Sequence, residues 1–181
     1  MAINYKLVFA GPVGAGKTTA IQSLSEIDVV NTDVATSDEV RAFKKSTTVA
    51  LDYGLMKLDD GTNVRLYGAP GQKRFDFMWD ILTENALGLV LMLKGSAADP
   101  IADLRMYVGE FRDFIDMTAL VVGITHTDIS GWEIRTRIMD EMRQLGLPPL
   151  ALTTDARNRE HMATLVKMLV HGIDPFDDHA Q

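Results

Sequence analysis

The chain has 181 residues, of which 46% are hydrophobic, and this is enough to form the core of one domain. Its formal net charge of −7 argues against nucleic acid as a main partner, because duplex binding requires a basic face. The absence of cysteine excludes disulfides and thiolate metal sites.

The composition also bears on domains and location. The longest apolar run, residues 86–93, is too short to span a bilayer, and the sequence has neither a leader pattern nor a lipidation motif. We therefore expect a cytoplasmic protein with no membrane anchor of its own. Residues 1–173 are predicted to form one domain, and residues 174–181 a short acidic tail.

Residues 5–20, YKLVFAGPVGAGKTTA, contain the strongest motif of the sequence. An apolar strand is followed by the pattern GxxxxGK[ST] and then by a helix start, which is typical of a phosphate-binding loop. Glycines allow the tight turn that points backbone N–H groups at phosphate oxygens, while the lysine reaches the β and γ oxygens and a threonine hydroxyl binds Mg²⁺. The residues assigned to this site are Gly11, Val13, Gly14, Ala15, Gly16, Lys17, Thr18 and Thr19.

The next part of the chain predicts a short helix, a long loop and a hairpin. The apolar helical pattern that includes Ile21 and Leu24 fails near Ile27, and residues 28–46 are polar without periodicity. Residues 47–58 and 64–67 read as two strands, and the turn chemistry of residues 59–61 predicts that they pair antiparallel. Residues 68–72 then begin a second loop.

In the second half of the chain, apolar runs and helical patterns alternate. The predicted strands are residues 86–93, 119–124 and 150–152. A helix is predicted over residues 74–82. Its large apolar side chains, Phe75, Met78, Trp79 and Leu82, are expected to pack on the sheet as core residues in preference to forming a special aromatic site. A second helix starts at Pro100 and includes Phe111 and Ile115, a third begins at a Ser130–Glu133 capping box, and the last presents Met162, Leu165, Val166, Leu169 and Val170. The pattern indicates the α/β class, with a mostly parallel six-stranded sheet and helices on both faces.

Taken in order, the loops resemble the five signature motifs of Ras-like small GTPases, P-loop NTPases that bind GTP and GDP with Mg²⁺. The resemblance implies that Lys17 contacts the phosphates and that Thr18 and Thr48 bind the metal. It also implies that the Gly71 N–H bonds the γ-phosphate and that Gln72 orients the attacking water. Arg74 is a weak candidate for stabilising the transition-state charge, and a surface role is at least as reasonable.

The same resemblance assigns a guanine site to two later loops. Asp128 occupies the position that accepts from N1 and N2 of guanine, after Thr125 and His126, and the loop Asp155, Ala156, Arg157 offers the Ala156 N–H to O6. The alternative role for Asp128 is that of a helix cap, but Ser130 is better placed for it. The histidines have no metal-ligand spacing, and Asp52 and Asp60 read as solvated surface or turn groups.

Three departures from the family pattern are visible. Gly68 replaces the aspartate that usually holds the magnesium shell, Thr-His-Thr-Asp replaces Asn-Lys-x-Asp, and Val13 replaces a glycine beside the γ-phosphate. The PGQ sequence followed by aromatics is similar to the bacterial gliding-motility (MglA-type) GTPases, whose relatives often work with Roadblock-fold dimers. Gly71-Gln72 resembles the second switch of these GTPases, and Phe77 is either an exposed partner anchor beside it or a core residue.

We predict from these motifs a nucleotide switch with slow, Mg²⁺-dependent GTP hydrolysis. One alternative is a pseudo-GTPase scaffold, which Val13 and Gly68 make credible. The other is a P-loop kinase or ATPase, which is disfavoured because no arginine-rich lid segment is visible.

Overall fold

The computed structural model describes residues 4–31, 51–58, 61–71 and 77–171, without the side chains of Asn4, Asn31, Phe77 and Ile129. Within these ranges the chain forms one sheet of seven strands with helices on both faces, which confirms the predicted α/β class. The strands are β1 (Asn4–Ala10), β2 (Val30–Asn31), β3 (Asp52–Lys57), β4 (Asn63–Gly68), β5 (Gly88–Lys94), β6 (Leu120–Thr125) and β7 (Ala151–Thr153). The predicted tail, residues 174–181, lies outside the described residues.

The helices of the described residues alternate with the strands after the first hairpin. They are α1 (Lys17–Leu24), α2 (Phe77–Thr83), α3 (Pro100–Glu110), α4 (Arg112–Met117), α5 (Thr127–Ser130), α6 (Glu133–Gln144) and α7 (Arg159–His171). None of the helices in these ranges is long and apolar enough to cross a membrane.

The sheet has the strand order β2-β3-β4-β1-β5-β6-β7. From β4 to β7 all neighbours are parallel, whereas β3 pairs antiparallel with both β2 and β4. The antiparallel hairpin is the one predicted from the turn at residues 59–61, and β2 adds a two-residue edge strand to the six predicted. Because β1, β4, β5, β6 and β7 run in the same direction, their carboxyl ends meet at one edge of the sheet, where α/β proteins bind ligands.

A hydrophobic core lies on each face of the sheet. On one face, α1 and α7 pack over β1 and β5 through residues such as Ile21 and Leu165. On the other face, α2, α3, α4 and α6 pack together, and the predicted core residues Met78, Trp79 and Leu82 are buried there. The sheet is therefore covered on both sides, and the edge at the carboxyl ends of its strands is left for function.

Three local expectations differ from the structure. The helix that starts at Pro100 breaks at Phe111, whose φ of −100° and ψ of 13° interrupt it between α3 and α4. No capping box forms at Ser130: Gly131, with φ 75°, separates α5 from α6, and the Ser130 hydroxyl donates to the His126 carbonyl. At the chain's last helix, Val170 is 38% exposed while Met168 is buried in its place.

Candidate functional site

The phosphate loop predicted from the sequence connects β1 to α1. Gly11, Gly14 and Gly16 all have positive φ, which confirms the reason for glycine at these positions. Helix α1 begins at Lys17, and no described residue accepts a hydrogen bond from the backbone N–H of Lys17 or Thr18. The loop and the first turn of α1 therefore present free donors and the positive end of a helix, as an anion site requires.

The Lys17 side chain folds over this loop. Its ammonium donates to the carbonyl oxygens of Gly11 at 2.6 Å and Pro12 at 2.9 Å. Burial lowers the pKa of Lys17 to about 8, and the nearby Asp52 carboxylate opposes that shift. A cation that is short of solvent and bonded only to neutral carbonyls is well suited to exchange them for phosphate oxygens.

Asp52 lies beside the phosphate loop, and the expectation that it is a solvated surface group is wrong. It begins β3, and its carboxylate accepts a hydrogen bond from the Thr18 hydroxyl. The strand register places Asp52 directly opposite Gly68, the last residue of β4. Because opposite residues of an antiparallel pair share a face, Asp52 reaches the phosphate loop from the neighbouring strand.

The absence of a side chain at Gly68 leaves room for the side chain of Asp52. A β-carbon added at Gly68 would lie 3.1 Å from Cβ and 3.3 Å from Oδ2 of Asp52. A side chain at position 68 would thus compete with the Asp52 carboxylate for the same volume. A carboxylate therefore lies beside Thr18 although β4 itself ends in glycine.

A cavity of about 670 Å³ lies next to the phosphate loop, at the ends of β6 and β7. It is lined by Gly16, Thr19, Thr125, His126, Thr127, Asp128, Thr153, Thr154, Asp155, Ala156, Arg157 and His161. All six residues that the sequence assigned to guanine binding are in this set. Gly16 and Thr19 belong to the phosphate loop as well, so the cavity and the loop are parts of one site.

The two acidic residues of the cavity differ in their partners. The Asp155 carboxylate accepts hydrogen bonds from Nε and Nη2 of Arg157, at 2.9 and 2.7 Å, and from the Arg157 backbone N–H at 2.9 Å. These bonds lower the pKa of Asp155 to about 2. Asp128, in contrast, is exposed and makes no hydrogen bond or ion pair with the described residues, although its charge is near enough to Arg157 to help raise the pKa of that guanidinium. Asp128 is therefore the carboxylate available to a ligand.

Thr125 joins the cavity to the phosphate loop. Its buried hydroxyl lies 3.0 Å from the Ala15 carbonyl oxygen and 3.2 Å from that of Leu93. His126 adopts the left-handed conformation, with φ 57°, and its Nδ1 lies 2.9 Å from the same hydroxyl. With its oxygen engaged in this way, Thr125 serves to hold the two loops together, and His126 forms the rim.

His161 is a cavity residue that the sequence did not assign. It lies in the first turn of α7, and its Nδ1 accepts a hydrogen bond from the Asp155 N–H at 3.1 Å. This hydrogen bond connects α7 to the loop that carries Ala156. A signal existed in the sequence, because residue 161 follows the loop at residues 155–157 by about one helical turn.

Some assigned residues cannot be located. Thr48, Gln72 and Arg74 lie outside the described residues, whereas Gly71 is described and packs against the phosphate loop. A β-carbon at Gly71 would lie 2.8 Å from the Val13 nitrogen and 2.9 Å from the Lys17 ammonium. The loop after β4 thus lies against the phosphate loop at Gly71, the residue before Gln72.

Comparison with known sequences gives a partial match. The chain matches no protein-family model. An uncharacterized protein of Methanocaldococcus jannaschii is 31% identical over 91 residues, which make up 50% of this chain and 51% of that protein. The chain thus matches about half the length of this curated relative.

Solved structures match over nearly the whole chain. The G domain of the T. maritima FeoB iron transporter superposes with a TM-score of 0.66 at 18% identity, covering 93% of this chain and 98% of that one. The cytosolic domain of the same transporter in its GMPPNP form gives a TM-score of 0.62 at 16% identity, covering 92% of this chain and 63% of that one. The apo form gives 0.64 at 18% identity, covering 94% and 64%. The chain has the small-GTPase-like P-loop fold of a G domain.

Proposed function

We propose that this protein binds GTP and GDP with Mg²⁺ and hydrolyses GTP slowly as a molecular switch. The observation that carries the proposal is the continuity of the phosphate loop with the cavity that holds Asp128, which meet at Gly16. One ligand with phosphates at one end and a hydrogen-bonding base at the other fits such a site. The first test is the identity of the nucleotide released by denaturing the purified protein, and GDP or GTP is expected.

Guanine selection would come from two groups of the cavity. The exposed Asp128 carboxylate makes no hydrogen bond within the described residues and would accept from N1 and N2 of guanine, whereas adenine offers no such pair of donors there. The Ala156 N–H, held by the loop that Asp155, Arg157 and His161 stabilise, would meet O6.

Exchange of Asp128 for asparagine is expected to change the preferred base. An amide can donate where xanthine has a carbonyl, so Asp128→Asn should bind XDP more tightly than GDP, while the wild type should prefer GDP over ADP and XDP. Calorimetric titration with the three diphosphates measures this. Asp155→Asn is the matched control, because its carboxylate is occupied by Arg157, and it should not favour xanthine. Equal wild-type affinities for GDP and ADP would contradict the assignment.

The residues present fit a magnesium ion. Mg²⁺ prefers oxygen ligands, and Thr18 and Asp52 place a hydroxyl and a carboxylate in contact beside the phosphate loop. We propose that Thr18 ligates the ion and that Asp52 holds its water shell, with Thr48 as a further proposed ligand. The ion would supply neutralisation of the phosphate charge.

The proposed hydrolysis depends on side chains that follow β4 and on one side chain of the phosphate loop. Gln72 is proposed to orient the attacking water and Arg74 to stabilise charge, and we expect turnover at roughly 10⁻⁴ to 10⁻² per second. Val13 is 67% exposed at the loop, close to where Gly71 packs. Its isopropyl group would stand in the space that Gln72 and an arginine need.

Val13→Gly is accordingly expected to raise the single-turnover rate of GTP hydrolysis several-fold. Single-turnover measurements on GTP-loaded protein provide the test, with the GTP dissociation constant as a check that binding is intact. An unchanged or slower rate would remove the steric argument. A wild type and a Val13→Gly variant that both bind GTP without hydrolysing it would favour the pseudo-GTPase scaffold instead.

Partner binding is a proposal from resemblance. We propose that the chain belongs to the gliding-motility (MglA-type) group and that it engages a Roadblock-type dimer through its switch regions. Ile81 of α2 is 43% exposed and supports a contact surface there, whereas the side chain of Phe77 lies outside the described residues. Capture of the dimer by the protein loaded with GMPPNP, compared with GDP, tests this.

A further inference from the structure

Two buried aromatic donors hold the backbone that carries Gly71. The Trp79 indole N–H of α2 donates to the Pro70 carbonyl at 3.3 Å. The Tyr107 hydroxyl of α3 donates to the next carbonyl, that of Gly71, at 3.4 Å. Two successive carbonyl groups of the loop after β4 are thus bonded from the same side.

The donors belong to a packed cluster of three aromatic residues. Trp79 and Phe111 stack with ring centroids 4.9 Å apart, and Trp79 and Tyr107 lie 5.6 Å apart. All three side chains are buried, so their positions are fixed by packing and their polar atoms need partners. Burial also raises the pKa of Tyr107 to about 12, and its hydroxyl therefore keeps the proton that it donates.

The direction of the Gly71 N–H follows from the peptide plane. The Pro70–Gly71 bond is trans, as are all peptide bonds of the described chain, so the Pro70 carbonyl and the Gly71 N–H point in opposite directions. With the carbonyl turned towards Trp79, the N–H faces away from the aromatic cluster. The phosphate loop lies against Gly71, since a β-carbon there would meet the Val13 nitrogen and the Gly11 oxygen at 2.8 and 2.9 Å.

We infer that Trp79 and Tyr107 are positioning residues for the terminal phosphate. By bonding the Pro70 carbonyl, Trp79 fixes the plane of the Pro70–Gly71 peptide, and by bonding the Gly71 carbonyl, Tyr107 fixes the peptide plane that follows. Held on both sides of its α-carbon, Gly71 would aim its N–H at the place where a γ-phosphate would lie beside Lys17. The inference rests on the proposed nucleotide function and adds to it two residues that touch no nucleotide themselves. It also connects the γ-phosphate to α2 and α3, the helices that flank the loop.

The test is the affinity for a GTP analogue relative to that for GDP. Trp79→Phe and Tyr107→Phe keep an aromatic ring and remove one donor each. Both should weaken GMPPNP binding by about tenfold, because the hydrogen bond from the Gly71 N–H to the charged γ-phosphate would be lost. GDP has no γ-phosphate, so its binding should stay within about twofold of wild type. Phe111→Leu is the matched control: it disturbs the same cluster without removing a donor, and it should leave the ratio of the two dissociation constants unchanged.

The outcomes separate this inference from the proposed function. A wild type that binds GDP and GMPPNP, with equal losses of both in Trp79→Phe and Tyr107→Phe, would make the two residues ordinary core residues and overturn the inference alone. A wild type that binds neither nucleotide would overturn both. Because Tyr107→Phe removes only an oxygen atom, it keeps the test valid even if Trp79→Phe unfolds, as a thermal melt would reveal.

Discussion

Loss of the Asp52 carboxylate is expected to weaken Mg²⁺-dependent nucleotide binding, and a new carboxylate on the neighbouring strand, at position 68, is expected to restore it. Asp52→Ala should lower the apparent Mg²⁺ affinity of the GDP complex by about 10–100-fold, the usual cost of losing a residue that supports a metal site. Gly68→Asp in the same chain should recover most of that loss. The two positions lie opposite each other, and a β-carbon at Gly68 falls 3.1 Å from that of Asp52, so either strand can supply the group.

Two single variants are controls for this double variant. Gly68→Asp alone should weaken binding, because two carboxylates would then compete for one space and repel each other. Asp113→Asn, which removes an exposed carboxylate on α4 far along the chain, should leave Mg²⁺ titrations of GDP binding as they are in wild type. If the double variant binds as weakly as Asp52→Ala, the shared-space explanation is wrong.

The sheet could be predicted because its strands are strongly apolar. The runs that became β1, β5 and β6 are buried on both faces and are recognised without any knowledge of tertiary contacts. Strand β2 could not be found in this way, since two residues, Val30 and Asn31, have no periodicity. They become a strand through pairing with Tyr53 and Asp52, which local sequence does not reveal.

Helix boundaries were less predictable than the helices themselves. Ser130 and Glu133 have the spacing of a capping box, yet Gly131 adopts a φ of 75° and ends a one-turn helix before α6 begins. The competing conformation is available because glycine has no steric penalty there. Likewise, an apolar pattern continues through Phe111, but the break between α3 and α4 lies in the backbone and not in the pattern.

The phosphate loop could be predicted from the sequence, whereas the carboxylate of Asp52 beside it could not. Residues 11–18 are contiguous, so their motif is complete in the sequence, whereas Asp52 reaches Thr18 only after β3 and β4 have paired. The turn at residues 59–61 nevertheless held the information. A hairpin centred on residue 60 pairs positions symmetrically about it, and this places Asp52 opposite Gly68, where a carboxylate was missing.

Gly11→Ala is expected to destabilise the fold by about 3–5 kcal/mol, through strain and a backbone clash together. Gly11 has a φ of 139°, which a residue with a side chain rarely adopts. Its added β-carbon would lie 2.0 Å from the Met92 carbonyl oxygen, which belongs to the central strand β5 and has no freedom to move away. Urea unfolding of the nucleotide-free protein gives the free energy directly.

Gly14→Ala is the control that separates this structural role from a binding role. Gly14 lies in the same loop with a φ of 82°, but a β-carbon there meets nothing within 4 Å. Its substitution should therefore cost only about 1–2 kcal/mol of left-handed strain. Equal losses of unfolding free energy for the two variants would show that conformational strain alone matters. A larger loss for Gly11→Ala would show that Gly11 is needed for the packing of the loop on β5. The Gly14→Ala variant should remain folded, so its nucleotide affinity can test the role of Gly14 in binding.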